Sequence, residues 1–223
     1  MPYYCYICNK FSVYIFPPQM LFDEIIRVLY STFAYLQVCV DKRNCRLFIP
    51  TLGKDSFRIS EGEIRSAFIE QILKDPAFQS YSYSIETPTE LCYRFSNKNG
   101  KRTPSVDRSG RKANIDACII KDGQRMAIIE FKANNAGAFE HRKDFFKLYS
   151  EPGQDILRFF VEVYSSTDSK TLESIHNKLY NNNYFNIGGN THFLGYSIKN
   201  IGTINNGLIT CNPNSTSANI SSI

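Results

Sequence analysis

The sequence predicts an α/β fold built on a mixed β-sheet, and three patterns predict it. Two apolar runs, 114–120 and 125–132, flank an Asp122-Gly123 turn signal and read as a β-hairpin. Alternating apolar residues over 78–96 and the mostly apolar segment 157–164, Leu-Arg-Phe-Phe-Val-Glu-Val-Tyr, supply strands before and after that hairpin. Stretches with helical spacing stand before the strands (60–73), after the hairpin (138–149) and after the last apolar run (169–180). Helices interleaved with strands in this order pack on a sheet rather than on one another.

Composition narrows the class. With 223 residues, 43% of them hydrophobic and 21% charged, the chain suits one compact domain with an extension. A net charge of +5 permits a nucleic-acid partner without demanding one. Seven cysteines at irregular spacings read as a reducing, cytoplasmic setting, not a disulfide framework. No apolar run reaches the length of a membrane span, and residues 1–16 lack the basic start of a secretory signal.

The first 55 residues form the N-terminal extension. Cys5 and Cys8 have the spacing of half a zinc site, but no second half is near, so buried free thiols are the expected state. After Pro17-Pro18, the spacing of Phe22, Ile25, Ile26, Leu29, Tyr30, Phe33 and Leu36 predicts an amphipathic helix over 20–40. Core packing is the plain use of that stripe; a homodimer interface is the sharper one. A short strand is expected at Leu47, Phe48 and Ile49. The main domain is expected over 56–200. Ser60 caps its first helix, with Glu63 placed for a capping box and Glu61 leading the Ile64, Phe68, Ile72 stripe.

Residues 78–96 predict one or two strands, with Thr87-Pro88 as punctuation. The Gly-, Ser- and Asn-rich stretch 97–112 is the most basic of the chain. Its Lys98, Lys101, Arg102, Arg108, Arg111 and Lys112 are the candidate phosphate-backbone contacts. In the helix over 138–149, Glu140, His141, Arg142, Lys143, Asp144 and Lys147 are expected on a polar face opposite Phe139, Phe145, Phe146 and Leu148. His141 and Lys147 are therefore kept out of the catalytic set. A strand over 157–164, a helix to Tyr180, a last strand over 192–199 and a disordered tail over 212–223 complete the chain.

Asp116, Glu130 and Lys132 stand inside apolar strands, where charge is normally excluded. Glu130 and Lys132 alternate with Ile129 and Phe131 and so share a face. Half-buried carboxylates need a partner, and a divalent cation is one that suits them.

Asp, thirteen residues, then Glu-x-Lys on a hairpin resembles the PD-(D/E)XK nuclease superfamily, with Ile115 standing where the family name has proline. The resemblance covers roughly residues 60–182. It implies a three-layer α/β/α sandwich with a restriction endonuclease-like core and a Mg²⁺-dependent endonuclease acting on DNA, most simply double-stranded, with Mn²⁺ able to substitute. It further implies that Asp116, Glu130, the Phe131 carbonyl and Glu61 hold the metal while Lys132 acts on water or phosphate. Ser60-Glu61 followed by Arg65 and Ile69 resembles the corresponding helix of resolvases and of type I restriction subunits. Glu63 and Glu70 are the alternatives to Glu61. Two other functions fit the same fold, a catalytically silent DNA-binding or assembly module and an RNA-cleaving nuclease. The shared site requires Asp116 and Glu130 on one face. A two-residue Asp122-Gly123 loop in regular register would set Asp116 opposite Ile129, so a three-residue loop over 121–123 is expected.

Overall fold

The apolar stripe over 20–40 folds as α1 (Pro18–Val40) in the computed structural model of the chain. The structure describes residues 18–41, 45–50, 57–96, 103–134, 136–181, 191–198, 207–210 and 219–221. Ile25, Val28, Leu29, Phe33 and Leu36 are buried in one cluster with sheet residues, and Phe33 stacks on Tyr196 with ring centroids 4.7 Å apart. The face that the sequence offered to a dimer is therefore buried in the chain's own core, with Tyr30 at its exposed margin. α2 (Glu61–Lys74) starts at Ser60 through the expected capping box and buries Ile64, Ala67, Phe68 and Ile72.

Among the described residues one mixed sheet runs β2-β1-β3-β4-β5-β6-β7-β8. Its strands are β1 (Ser82–Arg94), β2 (Ser105–Val106), β3 (Arg111–Lys121), β4 (Gln124–Ala133), β5 (Leu157–Tyr164), β6 (Thr191–Ser197), β7 (Gly207–Thr210) and β8 (Asn219–Ser221). β4, β5 and β6 are parallel and are joined by α3 (Ala138–Ser150) and α4 (Ser169–Asn181); the other neighbours are antiparallel. Residues alternate between faces along β4. Ala127, Ile129 and Phe131 pack with α1 and α2, while Ile128 packs with Phe145 and Leu148 of α3. The helices thus lie on both faces. All eight residues of β5, flanked by strands on both sides, are buried, which explains its largely apolar sequence. Of its two charges, Arg158 donates to the Glu151, Gly153 and Ile156 carbonyls and Glu162 lies beside His141.

Several local expectations change. Thr87-Pro88 does not divide β1: the outer side of this strand is covered by β2 only at Tyr93 and Arg94, so a proline is tolerated there. No strand forms over residues 45–50. Gly110 is required beside β1, since a Cβ there would lie 2.3 Å from the Tyr93 carbonyl oxygen. Within the stretch read as a disordered tail, Asn219–Ser221 pairs with β7, a strand the sequence did not announce. Cys5 and Cys8 lie outside the described residues, as does the rest of that tail.

The hairpin turn also differs. Asp122 and Gly123 both have positive φ, 51° and 76°, and Lys121 pairs with Gln124, so the loop has two residues and not three. Ile120 then pairs with Arg125, but Ile119 pairs with Ala127 and Ala117 with Ile129. Met126 is an extra residue on β4, a bulge that shifts the register by one. Asp116 consequently follows Cys118 onto the side shared by Ile128 and Glu130. The shared face survives by a different device.

Candidate active site

The β3–β4 ladder ends at Ala117 opposite Ile129, whereas β4 continues to pair with β5 as far as Ala133. An opening is left between the two hairpin strands at the end that carries the charged residues. Asp116 occupies it, and its Oδ2 accepts the Phe131 backbone N–H at 2.7 Å. The N–H and C=O of one strand residue face the same neighbour, so the Phe131 carbonyl is directed into the same opening. Asn134, at φ 58°, ties off β4: its amide donates to the Ile59 carbonyl at 2.8 Å and accepts from Ser165 N–H at 3.1 Å. That knot holds the start of α2 over the end of β4. Glu61, on the first turn of α2, brings Oε1 to 2.8 Å from Lys132 Nζ.

On the other side Lys132 Nζ lies 2.7 Å from Asp144 Oδ2, and Lys147 Nζ lies 2.7 Å from Glu130 Oε1 and 3.2 Å from Asp144 Oδ1. Lys147 also donates to the Asn114 carbonyl. Asp144 and Lys147 are buried, as is His141, whose Nε2 is 3.6 Å from the fully buried Glu162. The polar face expected of α3 is thus corrected: these three residues face the sheet. For His141 and Asp144 the signal was present, because 141, 144, 145 and 148 share the i, i+3, i+4, i+7 spacing of a buried stripe.

The inner part of the cluster, half-buried Asp116 with buried Glu130 and Asp144 against buried Lys132 and Lys147, carries one more negative than positive charge. Burial pushes the Asp116 pKa up, against the Phe131 N–H and the two lysines, which pull it down. Burial raises Glu130 well above its ordinary 4.5; Lys147 opposes this, while Asp116 and Asp144 add to it. Burial also works on Asp144, but Lys147 and Lys132 outweigh it and hold that carboxyl below its usual value. Burial disfavours the Lys132 ammonium, yet Asp144 and Glu61 more than offset it, so the lysine stays charged.

These directions give a pH prediction. Glu130 titrates higher folded than unfolded, so its contribution to stability is full below about 4.5 and is lost as pH rises towards its folded pKa. Asp144 works oppositely: its contribution is present above 3.8 and is lost as pH falls through its depressed folded pKa. In chelator, Glu130→Gln should remove the loss on the alkaline side, seen in urea unfolding from pH 4 to 8. A wild-type slope that the variant keeps would show that Glu130 is not its source.

The remaining candidates separate clearly. Glu63 is used by the cap, its Oε2 accepting Ser60 N–H at 2.6 Å, and Glu70 pairs with Lys74 at 2.8 Å, so Glu61 is the carboxylate of α2 that reaches the cluster. Arg65 NH1 stands 3.8 Å from Asp116 Oδ1. The Phe131 ring points into the core beside Phe68. Arg108, Arg111 and Lys112 are exposed around the start of β3, and Lys98, Lys101 and Arg102 lie outside the described residues. Among the described residues no three His, Cys, Asp or Glu side chains are gathered as a metal-binding group. Glu61 turns to Lys132 instead of joining Asp116 and Glu130, which departs from the ligand trio expected. No described helix is long and apolar enough to cross a membrane. No protein-family model, curated protein or solved structure matches the chain.

Proposed function

We propose that the chain is a nuclease of the PD-(D/E)XK type, an α/β/α sandwich that hydrolyses DNA phosphodiesters with Mg²⁺ or Mn²⁺. The observation that carries this reading is the opening between β3 and β4, where Asp116, the Phe131 backbone and Glu130 meet Lys132, with Glu61 arriving from α2.

A hard divalent ion fits these residues on two counts. Glu130 Oε1 is a buried carboxylate oxygen whose partner is the Lys147 ammonium 2.7 Å away, a cation where a metal ion could take its place. The surrounding carboxylates also exceed the buried lysines by one charge. Asp116, Glu130 and the Phe131 carbonyl would hold the ion, all three being oxygen donors. When bound, such an ion acidifies water and neutralises charge developing on a phosphate. Lys132, kept protonated between Glu61 and Asp144, is placed to orient the attacking water or to contact the phosphate. Asp144 fixes its ammonium, and α3 closes the inner side of the site against solvent.

Arg108, Arg111 and Lys112 would meet the phosphate backbone outside the opening. Replacing all three with Gln should weaken DNA binding and reduce the slope of log K against log salt by about 0.9 for each phosphate no longer neutralised. An unchanged slope would return these residues to the solvated surface. A catalytically silent module is the second reading, favoured by the engagement of Glu130 with Lys147 and of Glu61 with Lys132. Plasmid DNA and structured RNA, each incubated with Mg²⁺ and with chelator, separate the proposals. Cleavage of DNA alone and only with metal is the expected result; RNA cleavage or none at all selects an alternative.

A further inference from the structure

Lys147 has no part in the reaction outlined above, yet it is the cation closest to Glu130. Its ammonium is surrounded by three acceptors: Glu130 Oε1 at 2.7 Å, Asp144 Oδ1 at 3.2 Å and the Asn114 carbonyl. Both carboxylates are buried, and so is Lys147. Asn114 stands two residues before Asp116, so the lysine reaches across the mouth of the opening between α3 and β3.

We infer that Lys147 is a built-in cation, neutralising Glu130 before a divalent ion arrives and leaving it when one binds, so that it sets the metal affinity of the site. The inference rests on the metal-dependent reading above and adds its regulation. Three observations support it. Glu130 is fully buried, and Lys147 is the only cation within ion-pair distance of it among the described residues. An apolar side chain next to Phe145 and Leu148 would pack on the same stripe without the desolvation cost of an ammonium, so a lysine there is a poor choice for stability alone. An ion bound to Glu130 Oε1 at about 2.1 Å would lie within roughly 5 Å of the ammonium where it now stands. At that separation in a dry site two positive charges repel strongly. Either the ion stays out or Lys147 moves. With several free rotations in its stem and Asp144 beside it, the lysine can rotate onto Asp144 and the Asn114 carbonyl.

The test is Mn²⁺ binding by the full chain, read as free Mn²⁺ by electron paramagnetic resonance. Lys147→Gln should bind Mn²⁺ about tenfold more tightly than wild type, within the usual range of coupling between two interacting sites. Lys147→Arg, which keeps the charge, should not gain affinity. Equal or weaker binding by Lys147→Gln, with wild type still binding, overturns the inference and leaves the nuclease reading intact. No binding by either protein overturns both. Should Lys147→Gln fail to fold, proton exchange of the wild-type Lys147 ammonium is followed by NMR during a Mg²⁺ titration. Slow exchange without the ion that quickens at saturation is the expected result; protection unchanged by bound Mg²⁺ overturns the inference.

Discussion

Asp116→Asn and Glu130→Gln should each reduce Mg²⁺-dependent DNA cleavage by at least about 10²–10³-fold, the usual effect of removing one group that stabilises transition-state charge. Each variant in Mg²⁺ should then match the wild type in chelator. The fold should persist in both. The amide introduced by Asp116→Asn retains an oxygen able to accept the Phe131 N–H that Asp116 now holds at 2.7 Å. Glu130→Gln removes a buried carboxylate that burial, Asp116 and Asp144 disfavour as an anion, but it also leaves the buried Lys147 ammonium to Asp144 and the Asn114 carbonyl. The metal-free variant should therefore stay folded with some loss of stability. Plasmid nicking and urea unfolding on the same preparations decide the matter. Variants that are folded and cleave at more than about a tenth of the wild-type rate would remove these carboxylates from the chemistry.

How much of this could be seen in the residues depends on which interactions set each feature. Elements with strong local signals were legible: the stripe of α1, the capping box at Ser60 and the largely apolar segment of β5. The shared face of Asp116 and Glu130 was legible only as a requirement. Its cause, a bulge at Met126 behind a two-residue turn, depends on how β3 and β4 pack, and no local composition marks it. Lys147 was hidden for another reason. A charged residue at a stripe position reads as polar until its counter-charge on a distant strand is known, and Glu130 lies seventeen positions from Lys147 in sequence. The same holds for Glu61, whose partner Lys132 is seventy-one positions away. Partner pairs across the fold compensate charges that look out of place in their own segments.

The fate of Lys132 separates chemistry from stability. Lys132→Ala should lower cleavage by at least about 10²-fold, on the scale of a lost positioned proton or charge donor, while Mn²⁺ still binds, because the ion pairs of the lysine are with Glu61 and Asp144 and not with the three groups proposed to hold the metal. The same substitution leaves Asp144, now 2.7 Å from Lys132 and almost fully buried, with less of its compensation. Breaking a buried pair from one side costs about 3–5 kcal/mol, so the variant should unfold at clearly lower urea. Adding Asp144→Asn should recover part of that stability, since the uncompensated charge is gone, but none of the cleavage. Recovery of both together would make Lys132 a structural counter-ion only. Full cleavage by Lys132→Ala would remove it from the reaction altogether. Stability that returns while activity stays lost is the expected pattern, and it assigns the ammonium to the phosphate or its attacking water rather than to the scaffold.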